Sequence, residues 1–402
     1  MNILFVSTCC EQNRFNELMK NIKSPEQNAQ KLYKLLINGM SSVSNTEVHA
    51  ISMLPINQRN YPYKHVPAEI IDANGCYYHH MEVWNLPFLR NAHNVVQCFH
   101  LIRNLTKKRR SESVVICDVL RLGLGTSVLL ACKLFGITSM GIVTDVPQKR
   151  AEKGNLLNQA VDAIRFHQLK SYDGYVFLSE PMNMLINHAH KPYIVVEGTV
   201  DSNMETLDNV LDEKVTPRVC LYSGSIRRIY GVPALVEGFL KANIDNTELW
   251  IYGDGDYRDE LQSICKQHSN VRYFGVVPNS EVVKAQVAAT LLVNPRPPAG
   301  EYTMYSFPSK NMEYLVSGTP VLAAMLPGMP EEYREHIFEL EDCSADGICR
   351  ALREIFLLPC GVLHAKGTKA KNFVLHEKNN LTQGKRIMEF ANSFVKSGRR
   401  SK

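Results

Sequence analysis

The 402-residue chain contains no uninterrupted run of about 18 apolar residues, so the sequence predicts no transmembrane helix. It opens with MNILFVSTCC, which is apolar but lacks a basic segment, and we expect a first β-strand there rather than a signal peptide. The eleven cysteines form no C-x-x-C pair and show no metal-ligand spacing. Their pattern favours a reducing cytoplasm and argues against a disulfide framework or a zinc site.

The chain also lacks a large excess of charge of either sign. It has 45 Lys and Arg residues and 40 Asp and Glu residues, for a formal net charge of +5. The excess is concentrated at 107–110 and in the tail from Lys396 to Lys402. The wide basic face and aromatic platforms of nucleic-acid-binding proteins are missing, so we expect no nucleic-acid partner. The basic clusters are either solvated surface or peripheral contacts to anionic lipid on the cytoplasmic face of the membrane, and both interpretations stay open.

Apolar strands and helical segments alternate along most of the chain. One series runs from Asn2 to Val196 and a second begins at Arg218, with a polar, acidic segment at 199–217 that we interpret as a linker. Repeated βα units of this kind predict doubly wound parallel sheets. Residues 55–92 give no clear pattern, and Pro359-Cys360-Gly361 is expected to break the chain before a final helical region.

The most informative stretch is PRPPAGEYTMYSFPSKNMEYLVSGTPVLAAML, which starts at Pro295. A polar loop leads into a predicted helix from Lys310 to Val316, and Gly318 and Pro320 end that helix before another strand. The helix start offers backbone N–H groups, a hydroxyl and a cation to an anion. With Glu313 one turn along, this arrangement suits a sugar nucleotide; the alternative is a short amphipathic helix between two core strands.

The segment SFPSKNMEYLVSGTPVL, from Ser306 to Leu322, resembles the donor-site signature of retaining glycosyltransferases of the GT-B fold (glycosyl transferases group 1, family 4 type). Many members of that group build capsule and other polysaccharides. The resemblance implies an α/β fold with two Rossmann-like, doubly wound parallel-sheet domains facing a central cleft. It implies an acceptor-binding domain at 1–200, a donor-binding domain at 201–376, and a C-terminal helix with a basic tail at 377–402 that crosses back to the first domain.

Three further loops in the second half resemble parts of the same donor site, namely those at 222–231, 252–255 and 274–278. Glycines there let backbone approach a phosphate, and arginines can neutralise its charge. The donor-binding residues implied are Gly224, Ser225, Arg228, Gly253, Gly255, Val276, Tyr305, Ser306, Pro308 and Ser309. The catalytic residues implied are Asp145, Arg227, Lys310 and Glu313.

The sequence departs from the family pattern at three donor-site positions. Ser225 and Tyr230 stand where the family has an arginine and a lysine, so either Arg227 or Arg228 would supply the missing charge. Tyr305 replaces the first of two paired glutamates, and nearby Glu301 is an alternative to it.

The first domain is expected to bind the acceptor through residues that follow its strands. Asp145 stands where the family has a histidine, and it would orient the acceptor hydroxyl or act as a base; the alternative is a turn or helix-capping aspartate. Gln27 lies in the segment that takes the place of the family's glycine-rich loop, and Glu197 closes the domain. Both are predicted to bind acceptor.

The resemblance implies a hexosyltransferase-type enzyme that moves a sugar from a nucleoside-diphosphate sugar, with UDP-sugar expected, to a free or lipid-linked carbohydrate. Configuration would be retained by front-face attack, with the leaving diphosphate taking the acceptor proton. We expect no cofactor and no metal, because no D-x-D-like pair follows a strand in a suitable place and cationic side chains would stabilise the diphosphate. Two alternatives remain, a nucleotide-sugar 2-epimerase-like isomerase and a non-catalytic GT-B partner subunit. The sequence leaves the oligomeric state open.

Overall fold

A computed structural model describes residues 1–22, 27–57, 60–86, 89–146 and 156–400, and it divides the chain into two compact units. The first comprises Met1–Thr199 and Asn380–Lys402, and the second comprises Val200–Asn379. Among the described residues, none of the helices combines the length and the apolar composition that a membrane-spanning segment needs.

The bounds of the elements in chain order are as follows. The first unit contains β1 (Asn2–Ser7), α1 (Gln12–Met19), α2 (Gln27–Ser41), β2 (Glu47–Ser52), β3 (His65–Val66), β4 (Glu69–Ala73), β5 (Cys76–His80), β6 (Val83–Trp84), α3 (Leu89–Thr106), β7 (Ser113–Asp118), α4 (Leu122–Phe135), β8 (Thr138–Val143), α5 (Leu156–Leu169), β9 (Gly174–Phe177), α6 (Glu180–Ile186) and β10 (Tyr193–Val195). The second contains β11 (Arg218–Ser223), α7 (Val232–Ala242), β12 (Thr247–Tyr252), α8 (Arg258–Gln267), β13 (Val271–Gly275), α9 (Asn279–Ala288), β14 (Leu291–Asn294), α10 (Glu301–Met304), α11 (Ser309–Val316), β15 (Val321–Ala323), β16 (Phe338–Glu339), α12 (Ala345–Phe356) and α13 (Cys360–Glu377). The last helix, α14 (Asn380–Arg400), belongs to the first unit.

The described strands of the second unit form a parallel sheet in the order β13-β12-β11-β14-β15-β16. Its central strands are apolar because helices cover both faces, and Leu221, Leu292 and Leu322 are fully buried. The strand order reverses between β11 and β14. Ligands of open α/β sheets bind outside the carboxyl ends of the strands at such a switch point.

The main sheet of the first unit has the order β10-β9-β8-β7-β1-β2-β5-β4, and only the β4–β5 pair among these strands is antiparallel. Its strand order reverses between β1 and β7. Both units are therefore Rossmann-like, each with one switch point.

The C-terminal helix packs on α2 through a close contact between two glycines. A Cβ atom added to Gly39 would lie 1.8 Å from the carbonyl oxygen of Asn380, and one added to Gly384 would lie 2.2 Å from the carbonyl carbon of Gly39. Gln383 and Arg386 also donate hydrogen bonds to the carbonyl groups of Gly198 and Val195. These contacts hold α14 in the first unit.

Three interpretations of the sequence need correction. The segment 55–92 contains β3 to β6, which its mixed composition hides. The expected linker is bound to the second unit, since Asn209 donates to the carbonyl of Ser317 at 2.7 Å and Lys214 donates to that of Val287 at 2.6 Å. The expected break lies between α12 and α13, but Cys360 and Gly361 belong to α13, because proline is tolerated in front of the first helical turn.

Candidate functional site

The carboxyl ends of β11 and β14 and the start of α11 form a candidate site within the second unit. Gly224 follows β11 with φ of 139°, a backbone conformation that favours glycine. A Cβ atom on Gly224 would lie 2.5 Å from Lys310 Nζ. The lysine side chain therefore lies directly over the glycine backbone, and the structure brings these two predicted site residues together.

Tyr314, on α11, fixes the end of β11. Its hydroxyl accepts a hydrogen bond from the backbone N–H of Ser223 at 2.8 Å and donates to the carbonyl of the same residue at 3.1 Å. Gln286 adds a hydrogen bond to Ser223 Oγ at 3.1 Å. Because Tyr314 and Ser223 are buried, these bonds hold the Gly224 loop against α11 without contact with solvent.

The glycines of the loop after β12 allow two backbones to approach each other. Gly253 has φ of 125°, and a Cβ atom there would lie 1.8 Å from the carbonyl oxygen of Gly224. A Cβ atom on Gly255 would lie 2.1 Å from the carbonyl oxygen of Ile226. Any side chain at these positions would push the β11 loop away.

Lys310 lies in a partly apolar environment. Its Nζ atom is 3.8 Å from the centroid of the Tyr222 ring, a cation–π distance. Burial lowers the pKa of Lys310 to about 7; the nearby Arg296 charge also lowers it, and Glu313 raises it. The neutral amine form of Lys310 is thus positioned to gain a proton when an anion binds.

Sequence reasoning gave no role to Arg296, which follows β14 at the switch point. Its Nη2 atom donates to Ser306 Oγ at 3.0 Å, and its guanidinium carbon lies 5.4 Å from the centroid of the Tyr230 ring. The sequence feature that could have indicated Arg296 is its position between two prolines, shortly after a predicted buried strand.

The two arginines after β11 lie in different environments. Arg228 donates to Glu260 Oε2 at 2.5 Å and lies over the Tyr257 ring at 5.1 Å. Arg227 is exposed, with its guanidinium carbon 5.7 Å from the centroid of the Tyr230 ring.

The other predicted donor-site residues lie at the same edge of the second unit. Ser225 and Ser309 are exposed, Pro308 is buried, and Tyr305, Ser306 and Glu313 are half-buried. Val276 is 78% exposed and follows Gly275, while Phe274 stacks on the Tyr252 ring with centroids 4.5 Å apart. Glu301 begins α10, and its side chain lies outside the described residues.

The predicted acceptor residues belong to the first unit. Asp145 follows β8, is exposed, and accepts a hydrogen bond from the backbone N–H of Val146 at 2.8 Å, as a turn aspartate does. Glu197 is buried after β10. Gln27 begins α2, but its side chain lies outside the described residues. Asp118, after β7, is buried and accepts from the backbone N–H of Leu120 at 3.0 Å.

Comparison with known proteins gives a family match within the second unit and the fold of the whole chain. Residues 217–356 match the family model described as Glycosyl transferases group 1, which covers about a third of the chain. Sucrose-phosphate synthase from Thermosynechococcus elongatus matches 99% of this chain and 100% of its own, with 12% identity and a TM-score of 0.68. The lipopolysaccharide outer core galactosyltransferase WaaB matches 98% and 99% of the two chains, with 16% identity and a TM-score of 0.62.

The Anabaena protein HepE, solved in complex with UDP, matches 98% of this chain and 100% of its own, with 12% identity and a TM-score of 0.63. No curated protein matches at the sequence level. The predicted α/β fold of the GT-B type is therefore confirmed, and residues 217–356 of the second unit match the group 1 glycosyltransferase family model.

Proposed function

We propose that this protein is a retaining glycosyltransferase that moves a hexose from a nucleoside-diphosphate sugar to a carbohydrate acceptor. The observation that carries the proposal is Lys310, which the start of α11 places over the Gly224 backbone at the switch point of the group 1 domain. A cation, backbone N–H groups and a glycine loop are what a diphosphate requires. The UDP bound to HepE favours UDP-sugar as the donor class.

The proposed roles follow from the position of each side chain. Lys310 and the N–H groups at Ser309 neutralise the charge that the diphosphate gains as it leaves. Glu313, one turn along α11, accepts hydrogen bonds from the ribose hydroxyls. The exposed Val276 segment, through its backbone, holds the nucleobase. The protein's contribution to the rate is thus electrostatic stabilisation and positioning, without a metal or cofactor.

The first unit supplies the acceptor site in this proposal. Asp145 orients the acceptor hydroxyl, and Gln27 and Glu197 line the acceptor region. Polysaccharide or glycoconjugate synthesis, with free or lipid-linked acceptors, is the setting that the resemblance implies. The proposed location is cytoplasmic, with peripheral contact to the membrane through the basic clusters.

A non-catalytic partner subunit is the second candidate, because Ser225, Tyr230 and Tyr305 replace charged residues of the family pattern. Incubation of the purified protein with UDP-, GDP-, ADP- and TDP-sugars separates the candidates. A transferase releases nucleoside diphosphate slowly without acceptor and faster with one. An isomerase interconverts the sugar nucleotides, and a non-catalytic subunit does neither. No release or conversion with any donor, with or without saccharide acceptors, would contradict the proposed transferase.

A further inference from the structure

Two cationic side chains from different elements lie at the switch point of the second unit. Lys310 comes from α11, and Arg296 comes from the loop after β14. The two lie close enough for the Arg296 charge to lower the pKa of Lys310. The proposed function assigns a role to Lys310 but none to Arg296.

Contacts on two sides hold the Arg296 guanidinium in place. Its Nη2 atom donates to Ser306 Oγ at 3.0 Å, and its carbon atom lies 5.4 Å from the centroid of the Tyr230 ring. Arginine stacks well on aromatic rings and presents a planar set of N–H donors that fits phosphate oxygens. The side chain is half-buried, which strengthens its interaction with a bound anion relative to an exposed side chain.

The charges of Lys310 and Arg296 act on each other. The charged and titratable groups that act on Lys310 are Arg296, Glu313 on its own helix, and the ring of Tyr222 on β11. The Arg296 charge disfavours the protonated form of Lys310, which shows that the two cations repel each other. An anion bound between the cations would replace their repulsion with two attractions.

We propose that Arg296 is the second diphosphate-binding cation of this site and that, together with Lys310, it selects nucleoside diphosphates over monophosphates. The inference rests on the proposed function, because it assumes that the nucleotide binds at this switch point. Tyr230 is then a positioning residue whose ring supports the guanidinium. Arg228 is engaged by Glu260 and does not take this part.

Calorimetric titration of the full chain tests the inference with UDP, GDP, ADP and TDP, each beside its monophosphate. Arg296→Gln should lower the affinity for the preferred diphosphate about tenfold or more, and the affinity for its monophosphate by less than about threefold. The matched control is Arg350→Gln on α12, which removes an exposed ion pair with Asp342 and should change neither affinity.

A second pair of variants tests the support given by Tyr230. Tyr230→Leu removes the ring under the guanidinium and should weaken diphosphate binding severalfold, whereas Tyr230→Phe retains the ring and should bind like the wild type. In the Arg296→Gln background, Tyr230→Leu should add little, because the group that it positions is already gone.

The pH dependence gives a readout that a merely structural role of Arg296 would not move. Because the anion favours protonated Lys310, diphosphate affinity should fall as pH rises above about 7. Arg296→Gln removes a charge that lowers the pKa of Lys310, so the fall should begin at higher pH. Unfolding midpoints of the ligand-free variants, measured in parallel, should equal that of the wild type within about two degrees.

The outcomes separate this inference from the proposed function. If the wild type binds a diphosphate but Arg296→Gln binds it within twofold as tightly, the role of Arg296 is refuted and the donor site stands. An equal loss for di- and monophosphate also refutes the role. If the wild type binds no nucleoside diphosphate, both the inference and the proposed donor site are wrong.

Discussion

The two units share a Rossmann-like strand order but have different residues at their switch points. In the second unit, glycine and cations meet there, with Lys310 over Gly224 and Arg296 beside them. In the first unit, the loop after β1 runs from Thr8 to Glu11 without a glycine, and the buried carboxylate of Asp118 ends β7. The same scaffold therefore presents positive charge in one unit and carboxylate groups in the other.

The helix starts show the same contrast. Pro308, the residue before α11, has no side-chain hydrogen bond acceptor for the first N–H groups of that helix. Glu11 accepts hydrogen bonds from the N–H groups of Asn13 and Arg14 at 2.8 and 3.0 Å, so the start of α1 already holds an anion of its own chain. Nearby, burial lowers the pKa of His80 to about 4, and this histidine is neutral at pH 7. The two units therefore differ in their loops and helix starts, not in the order of their strands.

The largest effect is expected where two backbones touch in the second unit. Gly253→Ala should lower the free energy of unfolding by about 3 kcal/mol, because it combines a positive φ with a Cβ atom 1.8 Å from the Gly224 carbonyl oxygen. Urea unfolding followed by circular dichroism measures this. Gly361→Ala, where a Cβ atom meets nothing within 4 Å, is the control and should cost nothing. Equal stabilities of the two variants would show that the close contact is unimportant.

The second-largest effect is expected for removal of the Lys310 charge at the switch point of the second unit. Lys310→Met should weaken UDP binding by about 2 kcal/mol and abolish its decline above pH 7. The sign follows from the lowered pKa of Lys310, since the free protein loses this proton near neutrality and binding restores it. Calorimetry at several pH values checks both effects. Lys241→Met, which removes a lysine paired with Glu237 and Asp346 on the surface, should bind UDP normally. A UDP affinity of Lys310→Met equal to that of the control would disprove the role of Lys310.

A smaller effect is expected at the capped helix of the first unit. Glu11→Ala should lower the free energy of unfolding by about 1 kcal/mol because the first N–H groups of α1 lose their acceptor. Nucleotide affinity should not change. Glu11→Gln keeps an acceptor oxygen and should recover part of the stability. A loss of UDP binding in Glu11→Ala would contradict this difference between the units, since it would assign anion binding to the first unit as well.

The smallest effects decide between the two arginines after β11. Arg228→Gln should change UDP affinity less than twofold, because Glu260 already holds the guanidinium and exposed ion pairs contribute little. Arg227→Gln should weaken binding by two- to threefold, an estimate for one exposed charge near a phosphate, about 0.5 kcal/mol. Competition titrations with a fluorescent nucleotide resolve differences of this size. The reverse order would show that Arg228 leaves Glu260 when nucleotide binds.

Strong local patterns allowed most of the fold to be predicted. The strand Asn2–Ser7 has an apolar centre from Ile3 to Val6, and α11 has a loop before it and Gly318 and Pro320 after it. The short strands at 65–84 were not predictable, because tyrosines and histidines at the sheet edge do not alternate clearly with apolar residues. The predicted break at Pro359 extended too far, into the first residues of α13, because the effect of proline depends on whether a helix starts or continues there.

The candidate site was predictable only where a signature marks it. Lys310 and Glu313 lie within such a segment, whereas Arg296 does not. Its contact with Tyr230 joins loops that follow β14 and β11, strands far apart in sequence and adjacent in the sheet. Nothing in the spacing of the sequence reveals that contact. Asp145 was recognised by position alone, and its hydrogen bond to Val146 fits the turn interpretation as well.

The proposed donor site lies at the end of β11 in the second unit, where it would bind a nucleoside diphosphate. The most direct test is a thermal-shift screen of the full chain with UDP, GDP, ADP, TDP and their sugars, beside Glu313→Ala. Stabilisation grows with the logarithm of ligand concentration over the dissociation constant. We predict a rise in Tm with one nucleotide family, most strongly UDP, and its loss in Glu313→Ala. No rise with any nucleotide, or an undiminished rise in the variant, would contradict the account.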